Sequence, residues 1–277
     1  MNVAMFLLAG MDGITKTLAA DYSVPQILSV RFLIFCLFAL AIARPRSLRA
    51  AFRSHHPYLQ IARSLIILVE IGVFIVALRH LPLADTHAIA GIAPLLVTAL
   101  AVPFLGEKVG LRRWTAIAIG FVGLLVIVRP GIGIFNPAAL IPLVGAALWA
   151  VYQILMRKVA DDNAATSLLY MAVIGAVVMT ALAPFFWRPP DTNGWLLLGA
   201  LGVVGSLGHF ALLKAFQEAS ASALQPFSYA VLVWATAVGY FVFGDLPDIW
   251  TITGAAIIAS SGLYAFYRER VRGGKTS

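Results

Sequence analysis

Charge is what this chain has least of. Aspartate, glutamate, lysine and arginine make up 12% of its 277 residues, about half the share typical of a soluble domain. A fold of this size leaves too much surface in contact with water to conceal a composition that is 61% hydrophobic. For most of the chain the solvent must therefore be lipid. Cysteine is nearly as scarce. Cys36 stands alone, which excludes a disulfide scaffold, and inside an apolar run it reads as a small packing hydrophobe. The sequence also lacks H-E-x-x-H, a glycine-rich phosphate loop, a G-x-S-x-G elbow and any Cys/His cluster at metal spacing. His55-His56 sits in a basic loop with no third ligand nearby. An enzyme is not expected, and neither is a cofactor or metal. No carbonyl filter or pore-lining ring points to a channel.

Long apolar runs, by contrast, are abundant. Cutting the chain at charges, prolines and glycines leaves ten, near residues 2–20, 25–43, 57–79, 84–105, 112–129, 137–156, 166–186, 194–214, 222–243 and 249–267. Each approaches the ~20 residues a helix needs to cross a bilayer, and all are too long and too uniformly apolar for barrel strands of about 9–11 residues. The first run has no basic leader and no small-residue cleavage site, so it reads as a span and not as a signal peptide. Basic residues orient the set. With a cytoplasmic amino terminus, Lys16, Arg31, Arg79, Arg129 and Arg188 fall in outer halves or outer ends, and the other 15 of the 20 lysines and arginines fall at inner ends. Tyr58, Trp114, Tyr264 and Tyr267 then mark the inner interface, and Tyr22, Trp187, Trp195 and Trp250 the outer one. This bias and anionic lipid account for the net charge of +8, so no nucleic-acid partner is expected.

The chain repeats itself at an offset of 138. That shift aligns Ala77 with Ala215, Thr98-Ala99 with Thr236-Ala237, Gly106-Glu107 with Gly244-Asp245, Thr115 with Thr253, and Leu125 with Leu263. Each copy holds five spans, an odd number, so the copies enter the membrane in opposite senses. Inverted repeats of this kind mark many secondary transporters, with the binding site near midmembrane between the repeats.

Leu81-Pro82-Leu83-Ala84-Asp85, Pro94-Leu95 and Phe104-Leu105-Gly106-Glu107-Lys108 resemble the EamA-type repeat of the drug/metabolite transporter superfamily. Met11-Asp12…Lys16 and Trp149-Ala150…Tyr152-Gln153 are similar to the openings of its two halves. The resemblance implies an all-α integral membrane protein, with ten transmembrane helices in two inverted five-helix repeats around a central cavity. The repeats would occupy 1–130 and 131–268, with a basic cytoplasmic tail at 269–277. It also implies a multi-pass protein of the bacterial inner membrane, monomeric or weakly dimeric, that moves small metabolites among membrane lipids. The second copy departs from the pattern, because Asp245 replaces glutamate and Leu232 stands where the first copy has Pro94.

Ionisable groups inside the bilayer are costly and usually face a wet cavity or a partner. Asp12 and Lys16 lie four apart on one helix face, where they pair with each other or meet the two ends of a zwitterion. Glu70 lies midway along the third span, two turns from Arg63, and reads as an interhelical brace or as a binding residue. Arg31 can snorkel to the outer interface or touch substrate. His87 begins a stripe with Gly91, Pro94 and Thr98, in which Pro94 frees a carbonyl near midmembrane. Gly205, Gly208 and His209 mark the eighth span. The expected substrate-binding set is Asp12, Lys16, Glu70, His87, Tyr152, Gln153, Tyr229 and His209, with Gly91, Pro94, Gly205 and Gly208 as gating points. Lys214 and Glu218 read as an exposed pair, and Gln225 and Trp234 follow Tyr229 along the ninth span. Export of amino acids or related amphipathic compounds by alternating access is the first expectation for function. Nucleotide-sugars, sugar-phosphates and S-adenosylmethionine-like cations are the alternatives, and buried cations are too few to favour phosphates.

Overall fold

The computed structural model describes residues 1–43, 52–106, 109–129, 136–218, 227 and 229–273. Expected features at Glu107, Lys108 and Gln225 lie outside the described residues, as do the side chains of Lys214 and Glu218. Among the described residues these α-helices follow in chain order: α1 (Asn2–Asp21), α2 (Val24–Ala43), α3 (Pro57–His80), α4 (Leu83–Ala90), α5 (Ala93–Leu105), α6 (Leu111–Val128), α7 (Leu140–Lys158), α8 (Ala164–Leu182), α9 (Thr192–Glu218), α10 (Ala230–Phe243) and α11 (Ile249–Gly273). Among the described residues there is no strand. Among the described residues, nine segments are long and apolar enough to cross a membrane, with α4 and α5 together making one of them, and α10 is a shorter apolar helix. The architecture is that of a ten-helix membrane protein.

The fourth span is broken where the sequence supplies both a glycine and a proline. Helix α4 ends at Ala90, and Gly91 and Ile92 turn through tighter backbone geometry before α5 starts. Pro94 falls in the first turn of α5, where its missing N–H has no intrahelical acceptor to lose. The eighth span behaves differently. Helix α9 runs through Gly205 and Gly208 without a break. A Cβ on Gly205 would stand 3.0 Å from Met11 Sδ, and one on Gly208 3.2 Å from Leu8 Cδ2. These two glycines let α1 approach closely. At its end, α11 continues to Gly273 and so carries helix into the segment expected as tail.

Helix pairings follow the internal repeat. Helix α1 packs on α9 and α10, and their counterparts, α7 with α3 and α5, pack in the same way. Helix α2 packs on α9 as α8 packs on α3. The pairs α2 with α8 and α6 with α11 are their own images under the exchange. In the last of these, the missing Cβ atoms of Gly123 and Gly254 let each residue's carbonyl approach the other's backbone. The aligned glycines Gly106 and Gly244 end α5 and α10 with φ of 69° and 71°, a left-handed cap that glycine adopts without steric cost. Two inverted five-helix repeats therefore share one pattern of caps and contacts.

Apolar packing divides into two large clusters. Leu18, Ile27, Leu28, Phe32, Ile67, Leu169 and Leu198 join α1, α2, α3, α8 and α9. Ile89, Ile92, Leu95, Leu124, Ala146 and Ile258 join α4 through α7 with α11. Tyr58, Trp114, Tyr264 and Tyr267 are exposed at helix ends on the face that carries Met1, and Trp187, Trp195 and Trp250 on the opposite face. Below, these are the N-terminal face and the far face.

Candidate functional site

Helix α1 brings Asp12 to the middle of the bundle. Its Oδ2 lies 3.2 Å from His87 Nε2 on α4, an ion-pair distance when the imidazole is protonated. The ring of Phe74 on α3 meets the His87 ring edge-on, with centroids 5.2 Å apart. One turn before Phe74, Glu70 is 8% exposed, and its Oε1 lies 4.0 Å from where a Cβ on Gly145 of α7 would stand. Arg31 on α2 is 9% exposed and does not snorkel. Its Nε lies 3.9 Å from the Cβ position of Gly205 on α9, and its charge acts on both Asp12 and Glu70. The fold thus gathers two acids, one guanidinium and one imidazole from four spans of one repeat, walled by α7 and α9 of the other.

Several expected residues stand elsewhere. Lys16 does not pair with Asp12 but reaches Asp245, with Nζ to Oδ2 at 3.0 Å and Phe243 beneath its ammonium. The reason is geometric, since the left-handed cap at Gly244 turns Asp245 back toward α1. Arg63 does not neutralise Glu70. Its Nη2 donates to the Ser167 carbonyl at 2.7 Å, and Nη1 reaches Tyr152 Oη at 3.4 Å and the Met156 sulfur. Tyr152 is therefore engaged from one side by Arg63 and stacks near Trp149 on the other. Gln153, one residue on, is half-buried. His209 Nδ1 lies 2.8 Å from the Gly205 carbonyl of its own helix, with Phe35 against its ring. Tyr229 packs its ring on Gly262 of α11, and its buried hydroxyl has no partner among the described residues.

Of the expected binding residues, the structure brings together Asp12, Glu70 and His87. It places Lys16 and Tyr152 in neighbouring contacts, and Tyr229 and His209 against other helices. Arg31 joins the centre although the sequence favoured snorkelling. A basic residue in an outer half-span carries both meanings, and only the position of Gly205 opposite it separates them.

Each face of the bundle is tied by its own polar contacts. On the N-terminal face, Asp162, in the turn between α7 and α8, accepts from Gln60 Nε2 at 2.8 Å, from His55 N at 2.7 Å and from the Ser54 hydroxyl. Gln60 also donates to Ser167 Oγ at 2.9 Å. On the far face, Gln26 exchanges two hydrogen bonds with the backbone of Arg188. Arg79 donates to the Tyr22 carbonyl at 2.7 Å, and Arg129 pairs with Asp248. Asp162 and Asp248 are both held below the ordinary carboxylate range. For each, burial acts upward and is outweighed, at Asp162 by Gln60, Ser54 and His55 and at Asp248 by Thr251 and Arg129.

The profile of the EamA-like transporter family matches residues 1–129 and 136–267. An S-adenosylmethionine uptake transporter of Rickettsia felis is 33% identical over 79% of this chain and 74% of its own length. A riboflavin transporter of Vibrio cholerae is 29% identical over 94% of this chain and 89% of its own. A solved crystal structure superposes with a TM-score of 0.68 at 18% identity, over 97% of this chain and 96% of that one, which shows the common fold. With a buried polar centre between two inverted repeats and the family profile over both of them, this chain belongs to the EamA-like transporter family of multi-pass membrane proteins that move metabolites.

Proposed function

We propose that this protein carries a heteroaromatic metabolite with a cationic or zwitterionic tail, of the S-adenosylmethionine type, by alternating access through the centre formed by Asp12, Glu70, Arg31 and His87. The observation that carries the reading is the charge inventory of that centre. Two acids face one guanidinium and one imidazole, so with a neutral imidazole the site has one formal negative charge more than it balances. A ligand cation, or a proton, completes it. Phe74 beside His87, with the Trp149–Tyr152 pair, supplies flat apolar wall for a ring system.

The two named relatives support the same chemistry, since S-adenosylmethionine and riboflavin both join a heteroaromatic ring to a polar chain. Amino-acid export, the first expectation, draws no specific support from them. Direction is set by the gradients that a secondary carrier couples, so uptake and export differ in which side is loaded. The orientation proposed from the basic residues puts the N-terminal face, and both termini, in the cytoplasm of a bacterial cell.

The test is counterflow in proteoliposomes. Vesicles preloaded with S-adenosylmethionine should take up labelled S-adenosylmethionine in a saturable way, and Asp12→Asn should reduce that flux at least about tenfold. Vesicles that show no saturable exchange of labelled S-adenosylmethionine would overturn the substrate assignment.

A further inference from the structure

Arg31 and Glu70 are each more than nine-tenths buried, and neither has a hydrogen bond or ion pair among the described residues, although the Phe32 ring lies 6.0 Å from the Arg31 guanidinium. Of the other charged groups nearby, Lys16 and Arg63 are engaged elsewhere. Asp12 faces His87, Lys16 holds Asp245, and Arg63 is spent on Ser167, Tyr152 and Met156. Burying an unpaired charge is strongly unfavourable, and a guanidinium and a carboxylate that can reach each other normally close into a pair. These two act on each other electrostatically yet stay apart. Arg31 Nε lies 3.9 Å from the Cβ position of Gly205 on α9, and Glu70 Oε1 lies 4.0 Å from that of Gly145 on α7, so both side chains reach the wall formed by the other repeat.

We propose that Arg31 and Glu70 form a head-group site for an α-amino acid moiety, with the Arg31 guanidinium taking the carboxylate and Glu70 taking the ammonium. A ligand with both charges a few bonds apart can partner both groups at once, and a guanidinium fork is suited to bidentate carboxylate recognition. The internal repeat makes the site single. At the offset of 138, Leu169 stands opposite Arg31 and Gly208 opposite Glu70, so the second half holds no copy of the pair. A brace required by the fold would be expected in both halves, whereas a ligand that crosses one at a time needs one head-group site. The inference rests on the reading that metabolite passes through this centre. It adds the carboxylate partner, which the acids and His87 cannot supply.

The experiment measures affinity of the purified full-length protein for two probe pairs, each differing only in the carboxylate. The first pair is S-adenosylmethionine and its decarboxylated analogue, and the second is methionine and methioninamide. Wild-type protein should bind the carboxylate member of at least one pair about tenfold or more tightly. Arg31→Gln should erase that preference by lowering affinity for the carboxylate member without lowering it for the cationic carboxylate-free member, while Arg31→Lys should retain part of the preference. An arginine that only stabilises the fold would weaken both members equally, which would overturn the proposal. Wild-type protein without a carboxylate preference in either pair would overturn it as well, however the variants fold. If the adenosyl pair is not bound but the methionine pair shows the Arg31-dependent preference, the head-group site stands and the S-adenosylmethionine reading falls.

Discussion

Among single residues, Asp162 carries the densest set of polar contacts, and it lies outside the membrane-spanning segments. Its side chain is 1% exposed. Burial alone would push its carboxyl up, but donors from Gln60, Ser54 and His55 outweigh that and hold it well below the ordinary range. A depressed carboxyl stabilises the fold fully above its unfolded value of about 3.9, and the contribution disappears only as pH falls through the folded value. Between about pH 5 and pH 8 this group should therefore leave thermal stability unchanged. Asp162→Asn should cost about 1–3 kcal/mol at neutral pH, because an amide N–H2 then faces groups that donate. A fall in the unfolding midpoint in detergent checks this, and an unchanged midpoint would remove the latch. The sequence offers little warning of such a residue. Asp162 stands in a short polar turn of the kind that is usually solvated, and its donors come from more than 100 positions away. Lys16 is similar, since its neighbour in sequence is Asp12 and its partner is Asp245, 229 positions distant.

Helices were far more legible than contacts, for a physical reason. A span in lipid must satisfy its own backbone and present apolar side chains all round, so both its existence and its length are written locally. The break in the fourth span was legible in the same way, because Gly91 and Pro94 are the residues that interrupt a helix ladder. Gly205 and Gly208 were not. A missing side chain permits either a bend or a close neighbour, and here Met11 and Leu8 of α1 occupy the space. This difference leads to a prediction for α4 and α5. Pro94→Ala supplies an N–H that can bond back to the Ala90 carbonyl, favouring one continuous helix across the break. If the break is a moving joint, maximal flux should fall several-fold while substrate affinity stays within about twofold. Equal flux in a well-folded Pro94→Ala protein would assign the break to packing alone. By the same reasoning, Gly205→Ala should act mainly on stability and expression, since its Cβ would press on Met11.

For the whole molecule, the inverted repeats put equivalent connections on opposite faces, and those connections are closed by unlike chemistry. On the N-terminal face Asp162 gathers Ser54, His55 and Gln60, and Gln60 and Arg63 with Ser167, Tyr170 with the Phe52 carbonyl and His56 beside Asp161 add further contacts. The far face is held by separate contacts, including Lys16 with Asp245, Arg129 with Asp248 and Gln26 with the backbone of Arg188. Alternating access requires that one set open while the other stays shut, so weakening either should move the population toward the side it guards. The measurement uses Cys36→Ser protein with Met11→Cys, a position at midbundle beside Asp12, and a membrane-impermeant thiol reagent. Relative to that parent, Asp162→Asn should raise labelling from the N-terminal face and lower it from the far face. Lys16→Gln should do the opposite. Labelling that rises from both faces in either variant would mean the contacts maintain packing and not a choice between two openings. Labelling that shifts toward the same face in both variants would overturn the assignment of each set to its own side.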